Sequence, residues 1–217
     1  MKTDTQLKND VVAELGWEPG VNSAHVGVAV KDGVVTLIGH IDTYAEKAHI
    51  ERAAQRVQGV KALAVELDVK LSPGHQRSDT EIAEAARNAL RWNVMIPDEN
   101  LKVKVEKGWV TLSGEVDWSS QRDAAYAAVS HLTGVLGVAN AITLKSRPLP
   151  GNIAERIREA LRRHADREAK AIEVSVSGST VTLTGSVHSW DERTAVQGAA
   201  WAAPGVTSVV NRLSIGT

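Results

Sequence analysis

Cysteine is absent from this chain of 217 residues. That excludes disulfides, thiolate metal sites and cysteine nucleophiles. Phenylalanine is absent too, and aromatic residues make up only 4%. No apolar run approaches the roughly 20 residues that a membrane-spanning helix needs. The first ten residues lack an apolar stretch and a small-residue cleavage site, so the chain as written is expected to carry no secretory signal and no lipid anchor. An excess of either charge is also missing. The net charge is −1, which argues against a nucleic-acid partner, because such surfaces are usually basic. What is there is an ordinary globular composition, 24% charged and 43% hydrophobic. Six tryptophans stand beside the missing phenylalanine, and nothing in the sequence explains the exchange.

The informative feature is repetition. Gly33-Val-Val-Thr36-Leu37-Ile-Gly39 returns as Gly108-Trp-Val-Thr111-Leu112-Ser-Gly114, and again as Gly178-Ser-Thr-Val-Thr182-Leu183-Thr-Gly185. Gly59-Val60, Gly134-Val135 and Gly205-Val206 follow, each 20 residues after the last glycine of its copy. Both landmarks shift by 75 and then by 71 residues. The repeats are residues 3–71, 78–145 and 149–215, separated by Ser72–Arg77 and Ser146–Pro148, which read as linkers.

Inside each repeat the hydrophobic period changes in a fixed order. Leu7, Val11 and Leu15, or Ile153, Ile157 and Leu161, lie four apart and make one helix face. Thr5, Thr80 and nearby aspartates are the expected N-caps. Val26, Val28 and Val30 alternate as a strand, and Asp32-Gly33 is a hairpin turn into Val35–Ile38. An alanine-rich helix from about Tyr44 to Val57 ends at Gly59, a position suited to positive φ. A last strand carries Leu63, Val65, Leu67 and Val69. The fold class is therefore α+β: three tandem small modules, each helix-strand-strand-helix-strand. Two helices should cover one face of a three-stranded mixed sheet.

The strand glycines Gly39, Gly114 and Gly185 and the helix-ending Gly59, Gly134 and Gly205, at fixed spacing in triplicate, resemble the BON (bacterial osmotic and nodulation) domain family. The resemblance covers nearly the whole chain. It implies a non-catalytic bacterial module tied to osmotic or envelope stress, with attachment to phospholipid as the proposed activity. Tandem members of the family include an osmotically inducible periplasmic protein. A cytosolic potassium-binding member and a protein-interaction or chaperone-like scaffold are the alternative readings. The resemblance implies no enzyme activity. It suggests the periplasm if an export signal has been removed, and the cytoplasm for the chain as written.

The repeats offer an internal test for a catalytic site. None of the seven histidines falls on the equivalent of another under the repeat shifts. There is no Gly-x-Ser-x-Gly elbow, no phosphate-binding loop and no helical His-x-x-x-His. No catalytic residue, cofactor or metal is expected. The strand glycines read as places where a second backbone passes close.

Charge points to one candidate surface. The first repeat has 10 acids and 7 bases, the second 9 and 7, and the third 7 and 8. The basic excess gathers in the first helix of the third repeat and just after it. Arg156, Arg163 and Arg167 fall near one line about 100° from the apolar face, and Lys170 follows. These residues, with Trp190, are the candidate contacts to an anionic phospholipid surface, a peripheral and electrostatic attachment. Tyr44, Trp118 and Trp190 begin the second helix of each repeat. Trp17 and Trp92 end the first helix of repeats one and two, where burial against a neighbouring unit is expected.

Overall fold

The computed structural model describes residues 2–146, 151–164 and 172–215. The first repeat runs α1 (Asp4–Trp17), β1 (Val26–Lys31), β2 (Val34–Ile41), α2 (Tyr44–Arg56) and β3 (Ala62–Val69). The second runs α3 (Asp79–Trp92), β4 (Leu101–Glu106), β5 (Trp109–Val116), α4 (Ser119–Ser130) and β6 (Gly137–Leu144). The third runs α5 (Ile153–His164), β7 (Ile172–Ser177), β8 (Thr180–Val187), α6 (Trp190–Trp201) and β9 (Ser208–Ile215). Each repeat thus holds two α-helices and a three-stranded sheet with the second strand in the middle.

Strand β2 pairs antiparallel with β1 and parallel with β3, and β8 does the same with β7 and β9. The hairpin needs positive φ at both turn residues, and Asp32 (φ 54°) with Gly33 (φ 81°) supplies it. Lys107 and Gly108 do so in the second repeat. The parallel return needs a crossover, which α2 and α6 provide.

Period-2 alternation sends Val35, Leu37 and Ile41 of β2 inward, where they are buried with Leu7, Val11 and Leu15 of α1 and Ile50, Ala53 and Ala54 of α2. In the third repeat Val181, Leu183 and Val187 meet Ile153, Ile157, Leu161, Val196 and Ala200 in the same way. Small alanines on the second helix let its backbone lie close to the sheet. Packing groups the chain into two compact units. One comprises the chain up to Gly114 with Arg122–Ile142, the other Glu115–Gln121 with the chain from Thr143 onward.

The helix starts differ from the sequence expectation. The N-caps are Thr3 and Ser78, each two residues earlier than Thr5 and Thr80. Both close a capping box: Thr3 with Gln6 and Ser78 with Glu81, the side chains and backbone amides bonding reciprocally. The glutamine or glutamate three residues on decides the cap, and Thr5 and Thr80 have no such partner three residues on.

Candidate functional site

The strand glycines sit where the hairpin closes on itself. At Gly39 (φ 149°) a Cβ would stand 2.0 Å from the His25 carbonyl oxygen, and at Gly114 (φ 132°) 2.1 Å from that of Asn100. No side chain fits, so these positions build the sheet rather than hold a ligand. Gly59, Gly134 and Gly205 have φ of 105°, 94° and 84°. They turn the chain from the second helix into the last strand.

Aspartate recurs at the start of the first helix for a reason that local propensity hides. Asp4 accepts from the amides of Asp32 (2.8 Å) and Gly33 (3.1 Å), and Asp79 from those of Lys107 (2.7 Å) and Gly108 (2.8 Å). One carboxylate thus clamps the hairpin turn to the helix in repeats one and two. The matching sequence position of repeat three is Pro150, which lies outside the described residues. The 75-residue shift between Asp4 and Asp79 was the available signal.

Of the candidate lipid contacts, Arg156 is exposed on α5. Arg163 lies in the last turn of that helix with its side chain outside the described residues, and Arg167 and Lys170 lie wholly outside them. Arg158 donates to the Val174 carbonyl oxygen at 2.9 Å, which binds α5 to β7. Trp190 begins α6 half-buried, with the Arg193 guanidinium 5.0 Å from its ring centre. In the first repeat Arg56 spans the helix pair to Glu14 and Glu18. The hydrogen bond from Arg56, then that from His49, holds the Glu18 carboxyl below its usual range. In repeat three Ala160 and Ala202 replace Glu14 and Arg56. The helix pair there opens into a groove of about 440 Å³ lined by Ile153, Arg156, Ile157, Ala160 and Ala203 among others.

The tryptophans that end α1 and α3 are not buried. Trp17 is 86% and Trp92 83% exposed. The apolar stripe of each helix is already complete at Leu15 or Leu90, and the tryptophan two residues on projects past the core's edge. Trp92 opens a turn in which Met95 donates its amide to Asn93 Oδ1 (3.0 Å) while Ile96 is buried beneath. Val94, 97% exposed, and Met95, 56% exposed, form the tip. Arg87 and Arg91, one helical turn apart on α3, are exposed beside it. Bulk and hydrophobicity predict burial only on average, so sequence reasoning missed this surface.

His25 and His40 stack with ring centroids 4.5 Å apart. Among the described residues no three His, Asp or Glu side chains come together as a metal site, and no helix is long and apolar enough to cross a membrane.

Comparison with known proteins fits this threefold architecture. The family model of the BON domain matches residues 3–70, 78–146 and 151–217. The chain belongs to the BON-domain family. A similar BON-domain relative is osmotically-inducible protein Y of Escherichia coli (strain K12), 27% identical over 146 residues, which cover 65% of this chain and 73% of that protein. Two solved structures of CdsD, a structural protein of the type III secretion system of Chlamydia trachomatis, also align. One covers 96% of this chain and 91% of its own at 18% identity and a TM-score of 0.24. The other, its C-terminal domain, covers 100% of both at 16% identity and a TM-score of 0.27.

Proposed function

We propose that this BON-domain protein acts in the response to osmotic stress by attaching peripherally to anionic phospholipid, through binding rather than catalysis. The osmotic part rests on the named relative. The lipid part rests on the tip Trp92-Asn93-Val94-Met95 with Arg87 and Arg91 beside it. Tryptophan favours the boundary between water and hydrocarbon. Exposed Val94 and Met95 add apolar area that gains by leaving water. Each arginine near an anionic surface contributes about 1 kcal/mol. Attachment therefore combines shallow insertion with electrostatics, where the sequence suggested electrostatics alone. The α5 arginines, with the groove beside Arg156, make a second contact of the same kind.

Sedimentation with phosphatidylglycerol vesicles, against phosphatidylcholine vesicles, tests this. Wild type should bind the anionic vesicles and weaken as salt shortens the ~8–10 Å Debye length. Trp92→Ser with Val94→Ser and Met95→Ser should remove the salt-resistant part. Arg156→Glu with Arg163→Glu and Arg167→Glu should remove much of the salt-sensitive part. Wild type that stays in the supernatant with anionic vesicles at low salt overturns the lipid reading.

A further inference from the structure

The outward face of the first sheet differs from its two counterparts. Its rows across β1, β2 and β3 are Lys31, Val34 and Ala62, then Ala29, Thr36 and Ala64, then Gly27, Ile38 and Glu66, so that Thr36 is the one polar residue at its centre. Val34 is 39% and Ile38 47% exposed, and no described element covers them. The corresponding residues of β4 are Lys102 and Lys104, and those of β7 are Glu173 and Ser175. Ile38 corresponds to Ser113 and Thr184. The other two outer faces are mixed, with Trp109 (55% exposed) at the position of Val34 and Val210 (37% exposed) at that of Ala64. The first face differs from them in lacking polar residues at the Gly27, Ala29 and Ile38 positions.

Charges mark the ends of this face. Lys31 sits on β1 in the row of Val34 and Ala62, while Glu66 and Asp68 sit on β3 in the rows of Ile38 and His40. The turn end also holds Lys61, Asp32 and the Asp4 carboxylate bound to the turn, and the other end Lys70. The sign difference therefore lies on the outer face itself, between Lys31 at one corner and Glu66 with Asp68 at the other. Lys31 and Asp68 are three two-residue steps apart along the strands, roughly 20 Å, and cannot pair within one chain. They occupy opposite corners. A two-fold axis lying in the sheet plane across that diagonal exchanges the corners. It sets Lys31 of each copy against Glu66 and Asp68 of the other, with the centres of the two faces opposed.

We infer that this face is a homotypic docking surface on which a second copy of the chain seats its own first sheet. The face is about three strands wide and four rows long, which falls short of the ~1,200 Å² that stable interfaces bury. The dimer is therefore weak and forms when the protein is concentrated.

The experiment is sedimentation velocity of the full chain from about 5 to about 500 μM, the range in which a complex of that strength populates. Wild type should pass from monomer to dimer. Lys31→Glu should weaken the dimer about tenfold, because the symmetry breaks two exposed pairs at once. Glu66→Lys with Asp68→Lys should do the same. Mixed one to one, the two variants should dimerise with each other about tenfold more tightly than either does alone, because the mixed pair restores both sets of opposite charges. Both alter exposed residues, and the mixture recovers assembly only if both are folded. Three results overturn the inference: a monomer throughout the range, a dimer indifferent to Lys31→Glu, or a mixture no better than its parts. A wild type that stays monomeric, but whose vesicle binding is lost on Ile38→Lys, assigns the face to a membrane instead and equally overturns it.

Discussion

The hydroxyls of Tyr44 and Tyr126 meet at 2.9 Å, joining α2 of the first repeat to α4 of the second within one compact unit. These are the two tyrosines of the chain. Burial first, and the hydrogen bond with Tyr44 second, push the Tyr126 phenol above its ordinary value.

That shift has a sign. A phenol whose pKa is raised on folding favours the native state while it stays protonated. The contribution is present below the unfolded value of about 10 and is lost as pH rises beyond it. Urea midpoints should fall between about pH 9 and about pH 11 in wild type. In Tyr126→Phe they should fall less steeply, from a start about 1 kcal/mol lower for the lost hydrogen bond. Equal slopes for the two proteins would remove Tyr126 from the account.

Gly114→Ala should cost on the order of 3 kcal/mol, because positive φ and a backbone oxygen 2.1 Å from the new methyl act together. Gly198→Ala is the contrast. It lies inside α6 with nothing within 4 Å, so the exchange should gain about 0.5–1 kcal/mol through helix propensity. Urea unfolding of the two variants checks both signs.

Asp79→Ala removes two bonds to the β4–β5 turn and should cost about 1–2 kcal/mol locally. Native-state hydrogen exchange reads it directly. The amides of Lys107 and Gly108 should lose protection while those of the α3 core turn keep theirs. Unchanged exchange at both amides would mean that the turn holds itself.

Most of the fold was legible because period and turn chemistry act locally. The spacing of Leu7, Val11 and Leu15 found α1, and Asp32-Gly33 found the hairpin. The clamp of Asp4 on that hairpin was not legible, since it joins residues 28 and 29 apart and leaves no local pattern. The helix starts slipped by two residues because threonine occurs at both Thr3 and Thr5, and only the reach of Gln6 selects one. The candidate site was legible in its charge, through the arginines of α5. It was not legible in its apolar part, because exposure of Trp92 and Val94 depends on where the core ends.

Glu46 is buried, with one carboxylate oxygen accepting from the Asn22 amide (2.8 Å) and the other from that of Asp42 (3.1 Å). In the second repeat the counterpart of Asn22 is Pro97, which has no amide hydrogen. The counterpart of Glu46 is the neutral Gln121, whose Oε1 accepts from Asp117 and Trp118. In these two repeats the acceptor matches the donors that the loop supplies. Copies that descend from one another can recombine, and a crossover between residues 22 and 46 would join the Pro97 loop to Glu46. The hybrid would bury a carboxylate with one donor removed, at a cost of about 1–3 kcal/mol. The first two repeats are thus not interchangeable piece by piece across this loop, although their backbones follow the same path.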